Sequence, residues 1–192
     1  MKIVLGSTSP FRKNLLEQLK IAFECDAPNI DETPLDNEPV EEMVVRLAIA
    51  KAQAIAGHHK NALIIGSDQS AVLENEKLSK PGNFENAFKQ LTKASGKQIT
   101  FQTGLCLLNT ETGNIQSACI PYTVFFKKLT PSMIENYLAK EEPYNCAGSF
   151  KSEALGIALF ERFEGDDPNA LIGLPLIKLI DFLSNEGFSI LD

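Results

Sequence analysis

Arg12 and Lys13 stand in the first turn of a segment that reads as a helix, where the backbone dipole already places about +0.5 charge. Cations at that end are misplaced unless an anion neutralises them. Just ahead come Ser7, Thr8 and Ser9, whose hydroxyls, together with the open N–H groups of the helix end, make a cradle suited to phosphate. The plain alternative is a solvated helix end with two surface cations, since dipole penalties at exposed sites are only about 0.3–1 kcal/mol. Lys51 is a third cation of interest, because Val40, Val44, Leu47 and Lys51 follow a helical spacing that places it on the buried face. Most such lysines lay the stem along apolar surface and keep the ammonium in water. Lys80, within Ser79, Lys80, Pro81, Gly82, and Lys151, within Gly148, Ser149, Phe150, Lys151, are loop cations beside residues that allow the backbone close approach. Singly each is ordinary; collectively they could bind a triphosphate.

Two acidic positions complete the set. The apolar run at residues 62–67 reads as a buried strand that delivers Asp68 and Gln69 to its carboxyl end, the place where ligands bind in open α/β sheets. Asp68 suits a general base or a metal ligand there, and a turn-initiating Asp is the plain alternative. Asp31 and Glu32 lie in a Pro- and acid-rich loop over residues 28–39. If Glu32 folds toward Asp68, the two carboxylates can hold Mg²⁺ or Mn²⁺ through oxygen.

The elements that must position these groups can be read along the chain. Residues 2–6 predict a short buried strand, and Ser9 as cap with Pro10 after it predicts a helix carrying Leu15, Leu16 and Leu19 inward. Residues 21–25 are a second strand candidate. Residues 40–56 carry the helical period, stopped by Gly57, after which His58 and His59 sit where an imidazole is favourable without further purpose. After the strand at 62–67, residues 71–73 could continue as an edge strand. Residues 83–93 predict a helix, 98–108 and 115–126 a long antiparallel hairpin, 130–139 a Thr-capped helix and 175–184 a last helix. With no repeat or linker, the pattern predicts one α/β domain over residues 1–192, with a mixed central sheet flanked by helices.

Composition narrows the function. Eighteen Lys and Arg against 25 Asp and Glu give a net charge of −7, so no global positive field exists to hold a nucleic-acid polymer or an anionic membrane. A small anion remains possible where local cations gather it. No apolar run approaches the ~20 residues of a membrane span, and no leader pattern precedes the first strand, which together predict a cytoplasmic protein. Cys25, Cys106, Cys119 and Cys146 form no C-x-x-C pair and read as buried thiols. G-x-x-x-x-G-K-[ST], G-x-G-x-x-G and G-x-S-x-G are absent, which removes P-loop, dinucleotide-fold and serine-hydrolase readings.

As an ordered set, several segments carry a resemblance: Gly6, Ser7, Thr8, Ser9, Pro10 with Arg12; Asp31, Glu32, Thr33, Pro34; Gly66, Ser67, Asp68, Gln69; Lys80, Pro81; Ala147 to Glu153; Gly165, Asp166; and Gly173, Leu174, Pro175. The chain resembles the Maf-type nucleoside triphosphate pyrophosphatases from residue 1 to about residue 186, and most closely the branch that hydrolyses 7-methyl-GTP. That resemblance implies a fold related to the house-cleaning nucleotide pyrophosphatases, two lobes with a cleft, and cleavage between the α and β phosphates with a divalent metal. It implies Asp68 as the group that activates water and places Ser7, Arg12, Glu32, Lys51, Lys80 and Lys151 at phosphate- or metal-side positions; from the residues themselves Ser9 and Lys13 join the phosphate side, Lys13 standing where the family has Arg, and Asp68 joins Glu32 as a metal ligand. Phe11, Gln69 and Glu153 match the positions that separate substrate branches. An aromatic face at Phe11 could stack on a cationic N7-methylated purine, Glu153 could accept from the N1 and N2 edge of guanine, and Gln69 can both donate and accept. The branch usually has Trp where Phe11 stands. The rival branch, acting on dTTP and UTP, predicts a cation at position 11 and an amide at 153. A non-catalytic nucleotide-binding regulator of cell division is the rival from another class. The implied partner is a small-molecule nucleotide, without nucleic-acid polymer or membrane, and a homodimer is left open.

Overall fold

Three consecutive apolar residues, Ile3, Val4 and Leu5, are the mark of a strand covered on both faces. Strand β1 (Lys2–Gly6) has all three at 2% exposure or less. The computed structural model describes residues 1–191. Helix α1 (Pro10–Glu17) starts as the Ser-Pro pair predicts: Ser9 Oγ accepts from the Arg12 N–H at 3.4 Å, and Leu15 and Leu16 are buried. Strand β2 (Phe23–Asp26) pairs in parallel with β1. Helix α2 (Val40–Ala56) buries Met43, Val44, Leu47, Ala48, Lys51, Ala52 and Ile55, a stripe at the helical period that includes the lysine. At its end His59 Nε2 and His58 Nδ1 lie 2.9 and 3.1 Å from Asp26 Oδ2, and these hydrogen bonds hold the Asp26 carboxyl below its ordinary range.

Strand β3 (Ala62–Leu73) corrects one expectation. It does not end at Ser67; it runs unbroken through Ser67, Asp68, Gln69 and Ser70, so Asp68 sits within a strand rather than at its carboxyl end. β1 pairs with it in parallel only as far as Gly6 opposite Gly66, and Asp68 therefore lies just past the end of its neighbour. The strand then turns through Glu74 and Asn75, both at positive φ (49° and 70°), into β4 (Glu76–Leu78), a two-residue hairpin. Helix α3 (Phe84–Ala94), strands β5 (Gln98–Asn109) and β6 (Ile115–Phe126) and helix α4 (Pro131–Glu141) follow. Two 3₁₀ turns (Ala147–Ser149 and Leu155–Leu159), strand β7 (Phe160–Glu164), helix α5 (Pro168–Ile172) and helix α6 (Leu176–Asn185) complete the described chain. The sheet has seven strands in the order β2-β1-β3-β5-β6-β7, with β4 beside β3, and it mixes parallel and antiparallel pairs. A mixed α/β fold with helices flanking the sheet is thus what the chain adopts.

The chain divides into two units, one made of Met1–Gln69, Gln102–Ile120 and the segment from Asp167 onward, the other of Ser70–Phe101 and Pro121–Asp166. In the first, α2 lies directly on sheet backbone: a Cβ at Gly66 would fall 2.0 Å from Ala48 O, and one at Gly104 2.1 Å from Val44 O. Glycine is the residue that permits such contact. Val4, Ala48, Ala52, Ile55, Ala62, Ile64, Cys106 and Leu108 form the core beside it. The second unit is aromatic at its centre, with Phe150 packed edge-on against Phe101, Phe126 and Phe160 at 5.5, 5.6 and 4.8 Å between ring centroids.

All four cysteines are free thiols. Cys106 is buried and burial pushes its thiol up to about 12; Cys119 is half-buried and raised to about 11, by burial first and then Glu41. Cys25 departs from expectation: it is exposed, because β2 is an edge strand. No helix among the described residues is long and apolar enough to cross a membrane.

Candidate functional site

In the first unit the site begins with Lys51. Because α2 rests on the backbone at Gly66, a lysine one turn beyond Ala48 on the same stripe is carried to β3 at the level of Asp68. Lys51 Nζ lies 2.7 Å from Asp68 Oδ1 and 2.7 Å from Glu32 Oε1. The ammonium is therefore not in water, as lysine stems on apolar stripes usually leave it: Lys51 is 7% exposed and Asp68 9%. Glu32 arrives from the 28–39 loop with its side chain 58% exposed. The structure thus brings both carboxylates to a single cation.

The cradle ahead of α1 is built on hydrogen bonds. Ser7, 8% exposed, accepts at Oγ from the Ser9 N–H (3.1 Å) and from Arg12 Nη1 (3.5 Å). Arg12 Nε donates to Gly173 O at 2.8 Å, so that with Nη1 on Ser7 it is Nη2 that these two bonds leave for an anion. Burial lowers the Arg12 guanidinium from its ordinary value, opposed first by the Asp68 charge and then by Glu32, so the guanidinium feels both carboxylates. Lys13 points elsewhere: it is exposed and forms a 3.9 Å pair with Glu17 on its own helix. Phe11 is 39% exposed, a large apolar face left to solvent.

Gln69 turns its amide into the protein. Its Nε2 lies 2.6 Å from Ala170 O, 3.2 Å from Leu171 O and 3.0 Å from Thr103 Oγ1, and Thr103 itself donates to Ala170 O at 2.9 Å. Helix α5 is thereby fixed to β3 and β5. Its end is Gly173 (φ 115°), whose carbonyl accepts from both Arg12 Nε and Ser67 Oγ (2.9 Å). Sequence reading missed Thr103 and the anchoring by the Gly173 carbonyl, because both act through tertiary partners and leave no local pattern. It also missed Arg46, which grips Glu38 with a two-pronged pair (2.5 and 2.7 Å) and donates to Thr33 O at 3.3 Å. Asp31 accepts from the Thr33 hydroxyl and N–H at 2.6 and 2.9 Å, so the loop is secured on either side of Glu32.

In the second unit Lys80 is exposed in the turn after β4. Lys151 Nζ donates to Glu141 Oε1 and Glu141 O, each at 3.1 Å, while Glu141 Oε2 accepts from the Leu155 N–H. Tyr137 Oη accepts from the Lys151 N–H at 3.2 Å. Glu153 is exposed and accepts from Ser152 Oγ. Burial raises the Cys146 thiol, with Lys151 and Lys80 pulling it down and Glu153 and Glu141 pushing it up, which places these charges around one another.

A divalent cation can be tested against the donors present. Glu32 and Asp68 offer hard carboxylate oxygens, the donor type a divalent cation takes together with water and phosphate oxygens, and such a cation would share the two carboxylates with the Lys51 ammonium. Among the described residues no group of three or more His, Cys, Asp and Glu could form an all-protein cage. The donor set suits a metal that arrives with a phosphate ligand.

A chain with a mixed α/β sheet, a buried Lys–Asp pair past the end of β1 and an arginine cradle at a helix start can be placed among known proteins. A model of the Maf-like protein family matches residues 2–186, and the chain belongs to that family. It is 57% identical over 189 residues to a 7-methyl-GTP pyrophosphatase of Colwellia psychrerythraea, covering 98% of this chain and 94% of the relative. It is 54% identical over 185 residues to a 7-methyl-GTP pyrophosphatase of Alcanivorax borkumensis, covering 96% and 94%.

Proposed function

We propose that this protein hydrolyses 7-methyl-GTP to 7-methyl-GMP and pyrophosphate, as a hydrolase of acid anhydrides. The observation that carries the reading is the Lys51 ammonium held at 2.7 Å by both Asp68 and Glu32, next to Arg12 and Ser7, in a chain more than half identical to two proteins named for that activity.

In this reading Ser7, Ser9 and Arg12 receive the phosphates at the start of α1, and Lys51 and Arg12 spread the charge that builds up as the α–β bridge breaks. Lys13 adds longer-range attraction from the surface. In the second unit Lys80 and Lys151 are the cations proposed for the diphosphate end of the substrate. Asp68 uses Oδ1 for Lys51 and takes the proton of the attacking water at Oδ2, as the water oxygen bonds to the α phosphorus, the bond from that phosphorus to the bridging oxygen breaks and pyrophosphate departs. Glu32 and Asp68 would hold a divalent metal, Mg²⁺ or Mn²⁺, which would supply neutralisation of the phosphate charge. In the first unit Phe11 is the face proposed to stack on a methylated base; in the second, Glu153 is the proposed acceptor for a guanine edge, with a charge that favours a cationic purine over GTP. Gln69 contributes through α5, since its donors are committed there. The enzyme works in the cytoplasm on a small nucleotide.

The test is pyrophosphate release from 7-methyl-GTP, GTP, dTTP and UTP with Mg²⁺ or Mn²⁺. Release should be fastest from 7-methyl-GTP, and Asp68→Asn should abolish turnover while nucleotide binding stays measurable. Preference for dTTP or UTP, or binding without release, overturns the reading; the latter outcome is what a regulator would give.

A further inference from the structure

We propose that Gln90, on α3, ties together the two loops that carry Lys80 and Lys151, and so sets the spacing of the two ammonium groups for the diphosphate end of the substrate. The inference rests on the reading of those lysines given above. Gln90 Nε2 donates to Ser79 O at 3.0 Å, and Gln90 Oε1 accepts from Ser149 Oγ at 2.6 Å. Ser79 directly precedes Lys80, and Ser149 stands two residues before Lys151. A single primary amide, using its donor on one loop and its acceptor on the other, therefore sets both.

Each loop also has ties of its own, and one of them, from the Gly82 N–H to Tyr144 O, is a second link between the Lys80 turn and the segment that leads into Ser149. On the Lys80 side, Asn86 Nδ2 donates to Pro81 O at 3.0 Å and the Gly82 N–H to Tyr144 O at 2.9 Å. On the Lys151 side, Phe150 is seated among aromatic rings and Glu141 holds the lysine. Ser149 sits at the junction: it is fully buried with φ at 65°, a left-handed conformation that a residue with a side chain rarely adopts. Such backbone persists where the surroundings over-determine it, and it marks functional segments. A buried hydroxyl also needs a partner, and Gln90 is that partner. Gln90 itself is half-buried and borders the stripe of Ala87, Leu91 and Ala94 that α3 buries. Its polar atoms are thus spent on the loops rather than on helix packing.

Gln90→Met keeps length and helix preference while removing donor and acceptor. The probe is inorganic pyrophosphate, read as its inhibition constant against turnover. Loss of two neutral hydrogen bonds should weaken pyrophosphate binding by about tenfold, with a thermal midpoint a few degrees lower because the buried Ser149 hydroxyl loses its partner. In a Lys80→Ala/Lys151→Ala background the same change should alter binding by less than about twofold, because a residue that acts through the lysines has nothing left to position. A general loss of folding quality would instead carry over in full. Ser149→Ala deletes only the bond on the Lys151 side, and should be non-additive with Lys151→Ala but additive with Lys80→Ala. Unchanged binding in Gln90→Met, or an equal loss in both backgrounds, overturns the role of Gln90 while the lysines stand. Unchanged binding in Lys80→Ala and Lys151→Ala overturns the reading of the lysines and the role of Gln90 with it.

Discussion

The two ion pairs of Lys51 have the same length, 2.7 Å, yet their environments predict different energies. Toward Asp68 both side chains are nearly enclosed, at 9% and 12% exposure, whereas Glu32 is 58% exposed. Lys51→Met leaves the Asp68 carboxylate in a desolvated position, and losing one partner of a buried pair costs about 3–5 kcal/mol. The nearby Arg12 guanidinium softens that toward the lower end. The exposed partner is screened by solvent and is worth about 0–1 kcal/mol. Urea unfolding of Lys51→Met, Asp68→Asn, Glu32→Gln and the two double variants should therefore give a Lys51–Asp68 coupling of about 2–4 kcal/mol that changes little with salt. The Lys51–Glu32 coupling should stay below about 1 kcal/mol and fade as salt rises. Equal couplings, or a Lys51–Asp68 term that collapses in salt, would refute the argument that burial separates a fixed carboxylate from an exposed one.

Glu186 accepts from Asn109 (2.6 Å), Asn114 (2.5 Å) and Gln116 (3.0 Å), which hold its carboxyl below the ordinary range. Its contribution is present above the unfolded glutamate value and is lost as pH falls through the lower folded value. Glu186→Gln should thus cost about 1–2 kcal/mol near neutral pH, with the gap closing in acid; a gap that stays constant with pH would refute it. Gly173→Ala places a methyl group 3.5 Å from Arg12 Nε at a φ of 115°, so it should cost about 1–3 kcal/mol. It should also raise KM for the nucleotide, and a lowered thermal midpoint with unchanged KM would contradict the anchoring of Arg12.

What could be read from the chain alone divides along physical lines. Helix α2, the Ser9 cap and the placement of Lys51 on a buried stripe were legible because each rests on residues within a few turns of one another. The continuation of β3 was not. Ser67, Asp68, Gln69 and Ser70 break the apolar pattern, and the polar atoms of the first three are met by Gly104, Gly173, Thr103 and Lys51, from distant segments. Strand β7, with only Phe160 buried among its residues, and α5, five residues long, are too short or too mixed to show a period. The candidate site divides in the same way. Glu32 and Asp68 could be suspected as a pair, but that Lys51 joins them follows from the contact of α2 with Gly66, and that Gln69 faces α5 follows from packing.

The seating of α2 on bare sheet backbone at Gly66 and Gly104 also bears on rigidity. Where side chains separate two layers, rotamer changes let the layers drift; where main chain meets main chain, there is no compliant spacer. The lysine is therefore mounted on a hard joint, and its distance from the aspartate should hold nearly constant on warming until helix and sheet come apart together. The enzyme meets its substrate with that cation already in place, so the cost of arranging it falls on folding rather than on each turnover.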